Sequence, residues 1–163
     1  MKQIDSLLSE MIQYYSGDPK RIQHFLKVHS FARLIGSQEG LGERELFTLE
    51  AAAVVHDIGI RLCEEKYGNC SGKVQEKEGP AIAEAMLKKL DFDQNVIHRV
   101  CWLVGHHHTY SNIDSIDYQI LVEADFLVNL YEDQLSEDAC LAALNHIFRT
   151  ESGIRLCRTI FLS

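Results

Sequence analysis

Leu49-Glu50-Ala51-Ala52-Ala53-Val54-Val55-His56-Asp57-Ile58-Gly59 runs an apolar stretch straight into a histidine and an aspartate, then stops at a glycine. Burying an imidazole and a carboxylate at the end of such a run is costly unless something pairs with both. A divalent metal ion is the most economical partner, because it binds neutral imidazole and ionised carboxylate together. The competing explanation is a helix C-terminal pair, with His56 near the negative end of the dipole. The dipeptide alone does not separate the two, so the decision rests on whether other ligands are supplied elsewhere.

Working outward, the spacing predicts helices almost everywhere. Ile4, Leu7, Leu8, Met11, Ile12 and Tyr15 recur at helical intervals, and Gly17 ends that run. Asp18-Pro19 reads as an N-cap with proline at the first helical position. The helix it opens carries Ile22, Phe25, Leu26, Val28 and Ala32 to about Ile35, and a turn spans Gly36 to Gly42. The quoted stretch forms a third helix, from about Glu43 to Ile58. Gly68, Asn69, Ser71 and Gly72 break any period, so Lys66 to Gly79 reads as a loop able to cover a site. Pro80 opens a fourth helix and Asp93 caps a fifth, with Val96, Ile97, Val100 and Val104 inward. A sixth starts near Ser115, a seventh after Ser136, and a short eighth takes Ile154 to Phe161. No alternating strand pattern appears, and two prolines in the whole chain suit helices. The expectation is an all-α, compact single-domain bundle of seven or eight helices over residues 1–163.

Composition narrows the function classes. At 163 residues the chain is long enough to bury a real core. A net charge of -8 argues against a general nucleic-acid or anionic-membrane binder. It leaves room for a phosphate-bearing substrate, since a metal centre reverses the local field. The cysteines, Cys63, Cys70, Cys101, Cys140 and Cys157, are odd in number and lack a Cys-x-x-Cys spacing, which fits reduced structural thiols in a cytoplasmic protein. Met1 to Tyr15 is amphipathic rather than apolar, so no signal peptide is expected, and no stretch of about 18 apolar residues predicts a membrane span.

Several residues could complete a metal site with His56 and Asp57. Asp125 shares a helical stripe with Leu121 and Val128, and a carboxylate on a buried stripe needs a metal or an arginine. His106, His107 and His108 follow a helix end; three adjacent side chains cannot all point inward, and His106 and His107 extend the inward stripe best. On the second helix His24 and His29 diverge by about 140°. Periodicity favours His29 for burial without choosing the ligand. His98 and His146 sit in ordinary helical surroundings. Glu78 stands just before Gly79-Pro80, where a carboxylate suits a helix N-terminus and also faces a site.

The four stretches His24-Phe25-Leu26-Lys27-Val28, His56-Asp57-Ile58-Gly59, Val104-Gly105-His106-His107 and Ala124-Asp125 resemble, in order and spacing, the HD-domain superfamily of metal-dependent phosphohydrolases. The likeness covers about residues 21–130. In that family the first ligand is followed by two residues, a basic residue and a valine, which His24 satisfies and His29 does not. The resemblance therefore implies His24, His56, Asp57 and Asp125 around one ion. It further implies that Asp57 bridges to a second ion held by His106 and His107 in the two-metal branch. That branch often carries another histidine where this chain has Glu78. The acidic residues that alarmone hydrolases and one-metal nucleotidases place after His-Asp are Ile60 and Arg61 here, and the Gly-Tyr-Pro signature of cyclic-dinucleotide phosphodiesterases is absent.

The resemblance implies hydrolysis of a small phosphate ester, a nucleotide foremost, by a water activated on one or two divalent ions. Mixed nitrogen and oxygen ligation suits iron, manganese or zinc better than magnesium. Asp57 and Glu78 are the candidate catalytic groups, and Lys73, Lys77 and Arg61 the candidate cations for the substrate. Alternatives on the same scaffold are a di-iron oxygenase and a non-catalytic metal-bound sensor. The partner is a small molecule; oligomeric state is not readable.

Overall fold

A computed structural model describes residues 2–163, and among them there are nine α-helices and no strand. They are α1 (Lys2–Tyr14), α2 (Pro19–Gln38), α3 (Glu43–Val55), α4 (Ile60–Tyr67), α5 (Gly72–Lys89), α6 (Gln94–Val104), α7 (Ile116–Glu132), α8 (Glu137–His146) and α9 (Glu151–Phe161). The all-α architecture expected from the spacing is the one observed.

α3 is the axle. Leu49, Ala51, Ala52, Ala53, Val54 and Val55 are all fully buried, so its second half is covered nearly all round, with Glu50 half-buried between them. The three alanines keep that half thin, and α1, α2, α6 and α7 all pack against it. α2 lies between α3 and α7, which brings the three ligand-bearing helices of the sequence reading side by side. Burial of each large core side chain, such as Leu49 or Ile58, stabilises by about 1.5–3 kcal/mol.

The segment Lys66 to Gly79 is not a loop. Only 68–71 connects α4 to α5, with Gly68 in the left-handed conformation (φ +74°) closing α4 and Ser71 Oγ accepting from Val74 N to open α5. The helix-breaking residues are confined to that short connection, and Val74 onward resumes a helical face with Gln75 and Gly79 buried. Pro80 consequently falls inside α5 rather than at its start. The third helix is also shorter than expected, because it ends at Val55 and residues 56–59 form a tight turn.

That turn is held from two sides. Gly59 packs against the backbone of α5, where an added Cβ would stand 3.1 Å from Gly79 Cα. From the end of α1, the Tyr15 hydroxyl, one residue past the helix, donates to Asp57 O at 2.8 Å and the Tyr14 hydroxyl to Ile58 O at 3.3 Å. All five cysteines are free thiols. No helix among the described residues is long and apolar enough to cross a membrane.

Candidate metal centre

Helix geometry delivers the donors. His24 lies on α2 facing α7, His56 takes the C-cap position of α3, Asp57 sits in the turn just beyond, and Asp125 lies mid-way along α7. His24 Nε2 is 3.3 Å from His56 Nε2, 3.3 Å from Asp57 Oδ2 and 3.2 Å from Asp125 Oδ1. His56 Nε2 is 3.4 Å from Asp57 Oδ2 and 3.6 Å from Asp125 Oδ1. Ion–ligand distances of about 2.0–2.2 Å put neighbouring donors roughly 3.0–3.5 Å apart, so the set has the spacing of a coordination shell.

The tautomers strengthen that fit. His56 Nδ1 donates to Ala53 O at 2.7 Å, and His24 Nδ1 donates to Glu132 Oε1 at 3.2 Å. In the neutral rings both Nε2 atoms then carry lone pairs, and they face one another and two carboxylate oxygens. Acceptors gathered in this way need a cation between them or protons on the rings. In the metal-free protein protons do that work. Burial opposes charging His24, but Asp125 and Asp57 outweigh it and raise its pKa to about 9. His56 is likewise raised, against burial, chiefly by Asp57. Asp57 and Asp125 are held well below the carboxylate range despite burial, Asp57 first by His56 and Asp125 first by His24. Asn129 Nδ2, one turn on from Asp125, donates to Asp125 Oδ1 at 3.0 Å and fixes its rotamer.

A second donor group shares Asp57. His107 Nδ1 donates to Val104 O at 2.8 Å, leaving Nε2 3.3 Å from Asp57 Oδ1. His108 is the further histidine of that group. Burial and the neighbouring His107 push its pKa down to about 4, so it stays neutral near pH 7 as a ligand must. Its Nε2 is 3.0 Å from Gln75 Oε1, and its backbone N–H donates to Glu76. His106 is not brought in. Its ring stacks on Trp102 at 4.0 Å and its Nδ1 donates to Trp102 O. α6 ends at Val104 and 105–108 is a turn, so the stripe that put His106 beside His107 does not continue there.

The remaining expected residues lie apart from the donors. Glu78 accepts from the Tyr67 hydroxyl at 2.9 Å and pairs with Lys66 at 3.4 Å, and these contacts hold its carboxyl below the usual range. Lys73 and Lys77 are exposed on α5. Arg61 spends its guanidinium on Tyr14 O and Glu65. His29 pairs with Glu50 at 3.0 Å, away from the cluster.

A cleft of ≈ 180 Å³ reaches His24 and Asp57, and its cations are Lys20 and Arg21 on the first turn of α2. Met11, Tyr15 and Phe25 form an apolar wall. Neither Lys20 nor Arg21 stood out in the sequence, although each lies one turn before His24, a spacing that places them on its face. Asn129 and Glu132 were missed too; they continue the Asp125 stripe at four and seven residues. A larger cleft beside His29, Arg33 and Glu50 includes none of the donors.

The HD-domain family model matches residues 21–150. The chain belongs to the HD-domain family. A crystal structure of a predicted HD superfamily hydrolase from an uncultured Thermotogales bacterium superposes with a TM-score of 0.65 at 25% identity, covering 98% of this chain and 83% of that one. No curated protein matches significantly. HD-domain membership together with the donor cluster supports metal-dependent phosphohydrolase chemistry in general terms.

Proposed function

We propose that the protein hydrolyses a small phosphate ester, a nucleotide being the first candidate, with His24, His56, Asp57 and Asp125 holding a divalent ion. The observation that carries this reading is the convergence of those four donors at the end of a cleft whose cations are Lys20 and Arg21. A bound divalent ion supplies a water of lowered pKa and a Lewis acid for a phosphoryl oxygen. The chain supplies the rest. Asp57 and Asp125 contribute the negative charge that retains the ion. Lys20 offsets the phosphate charge at the mouth, beside Arg21, which is already paired with Asp18 and Glu64, and Met11, Tyr15 and Phe25 receive the less polar part of the ester. Lys20 is thus the leading substrate cation, with Arg21 beside it shared with Asp18 and Glu64, in place of Lys73, Lys77 and Arg61, which do not line the cleft; nothing around Glu78 supports a proton-transfer role for it.

Iron, manganese and zinc are the ions favoured by the mixed donors. A second reading, a di-iron oxygenase, draws on the Asp57, His107 and His108 group beside the first. Phosphate release from a panel of nucleotides and simple phosphate esters, by protein loaded with each ion, tests the proposal. Release that vanishes in Asp57→Ala supports it. Oxygen consumption by an iron-loaded protein that turns over no panel member would transfer support to the oxygenase. Full metal loading without either activity would leave a ligand sensor.

A further inference from the structure

His24 is anchored differently from its neighbours. The Nδ1 protons of His56 and His107 go to the backbone carbonyls of Ala53 and Val104, which no substitution removes. The Nδ1 proton of His24 goes to a side chain, the Glu132 carboxylate, at 3.2 Å to Oε1 and 3.4 Å to Oε2. Lys27 Nζ meets the same Oε1 at 3.0 Å. We propose that Glu132, partnered by Lys27, is the positioning residue that fixes the tautomer and aim of His24, and through it the ion affinity of the centre.

Two helices make this arrangement. His24 and Lys27 are one turn apart on α2 and face the same way. Glu132 stands two turns beyond Asp125 on α7, on the same stripe. α7 therefore grips His24 from both ends of the ring, Asp125 at Nε2 and Glu132 at Nδ1. A carboxylate partner makes the imidazole a stronger donor to an ion than a carbonyl partner does, and it excludes the tautomer with Nε2 protonated. Lys27 offsets the charge of Glu132, whose side chain is only 14% exposed and lies at the edge of a cleft meant for an anion.

The inference rests on the metal-centre reading but not on any particular reaction. Chelator competition for zinc and cobalt by the full-length protein tests it, beside the proton NMR signal of His24 Nδ1–H in the zinc-loaded protein, assigned by its absence in His24→Ala. Glu132→Ala is expected to weaken ion binding about 10- to 100-fold and abolish that signal. Glu132→Gln keeps an acceptor in place, so it should keep the signal and lose less affinity. Lys27→Met, which leaves the carboxylate, should stay within about fivefold of the parent. Should Glu132→Ala fold poorly, the ordering of Gln, Met and parent still decides. Parent-like affinity in both Glu132 variants would overturn the role of Glu132 while leaving the metal centre standing. A parent protein that binds no divalent ion would overturn both.

Discussion

Replacing Gly59 by alanine tests whether the turn after His56-Asp57 is set by close packing. Gly59 has φ -73° and ψ -17°, a conformation open to any residue, so backbone freedom is not what requires glycine here. In open space the change would stabilise by about 0.4–1 kcal/mol, through the unfolded chain. The space is not open. The new Cβ would lie 3.1 Å from both Gly79 Cα and Gly79 N and 3.2 Å from Gln75 O, all of them α5 backbone that cannot rotate aside. Gly79 is itself backed by Val104, since a Cβ there would come within 2.8 Å of Val104 Cγ1. Relieving the overlap means moving the turn or α5 by a few tenths of an ångström. Overpacking of this kind costs typically about 1–3 kcal/mol, which exceeds the entropic gain. From the middle of each range, net destabilisation of about 1.3 kcal/mol follows, or roughly 3–5 °C in melting temperature for a chain of this size. Because Asp57 lies in the same turn, ion affinity should fall in step. Urea unfolding of the metal-free protein and chelator competition read the two effects separately. A Gly59→Ala protein as stable as the parent, with unchanged affinity, would show that the turn has slack the packing does not suggest.

Three further outcomes are expected. His108→Ala should reduce the number of ions bound at saturating metal, or weaken the second, whereas His106→Ala should leave ion content unchanged and disturb only the Trp102 stack; metal analysis after dialysis distinguishes them. Lys20→Ala and Arg21→Ala should raise KM for a phosphate ester more than Lys73→Ala and Lys77→Ala do, because only the first pair lines the cleft; equal effects from all four would detach the cleft from the substrate. Ion binding should release protons near pH 7.5, measured by calorimetry in two buffers of different ionisation enthalpy. The sign follows from His24: its folded, metal-free pKa of about 9 stands above the ordinary 6.5, so its contribution to metal-free stability is full below pH 6.5 and lost as pH rises through 9. Ion affinity should climb over the same window, and binding without proton release at pH 7.5 would contradict it.

Much of the helical scaffold was legible because its signals are local. Asp18-Pro19, Asp93 and Ser136 cap helices as their chemistry dictates, and the apolar periods fall where helices lie, whereas the caps at Ser71 and Thr150 are found only in the structure. The region after Gly59 was misread because glycine and proline there answer to tertiary contacts. Gly79 sits inside a helix and is small because Val104 packs onto it, and Pro80 follows it within the same helix. At the site, periodicity left His24 and His29 open for a physical reason: their side chains are nearly equally buried, 11% and 14% exposed. What separates them is the partner each meets, two aspartates for His24 and Glu50 for His29. Partners of that kind come from other helices and leave no local trace. Lys20, Arg21 and His108 escaped for a related reason, since the cleft and the 105–108 turn exist only once α2, α6 and α7 have packed.

His56 and Asp57 are neighbours, and on a helix their side chains leave the backbone about 100° apart. α3 stops at Val55, Ile58 N closes back to Val55 O at 2.9 Å, and Ile60 N closes to Asp57 O at 3.1 Å. The two side chains reach back toward each other from this turn until Asp57 Oδ2 is 3.4 Å from His56 Nε2. Its other oxygen, Oδ1, is left facing His107 at 3.3 Å. One carboxylate thereby addresses two donor groups, with its backbone carbonyl tied to Tyr15 and its turn wedged against α5. A shift that improved one side would spoil the other. The turn must therefore be rigid, and Tyr14 and Tyr15 at the end of α1 and the glycine contact with α5 supply that rigidity from outside the donor cluster.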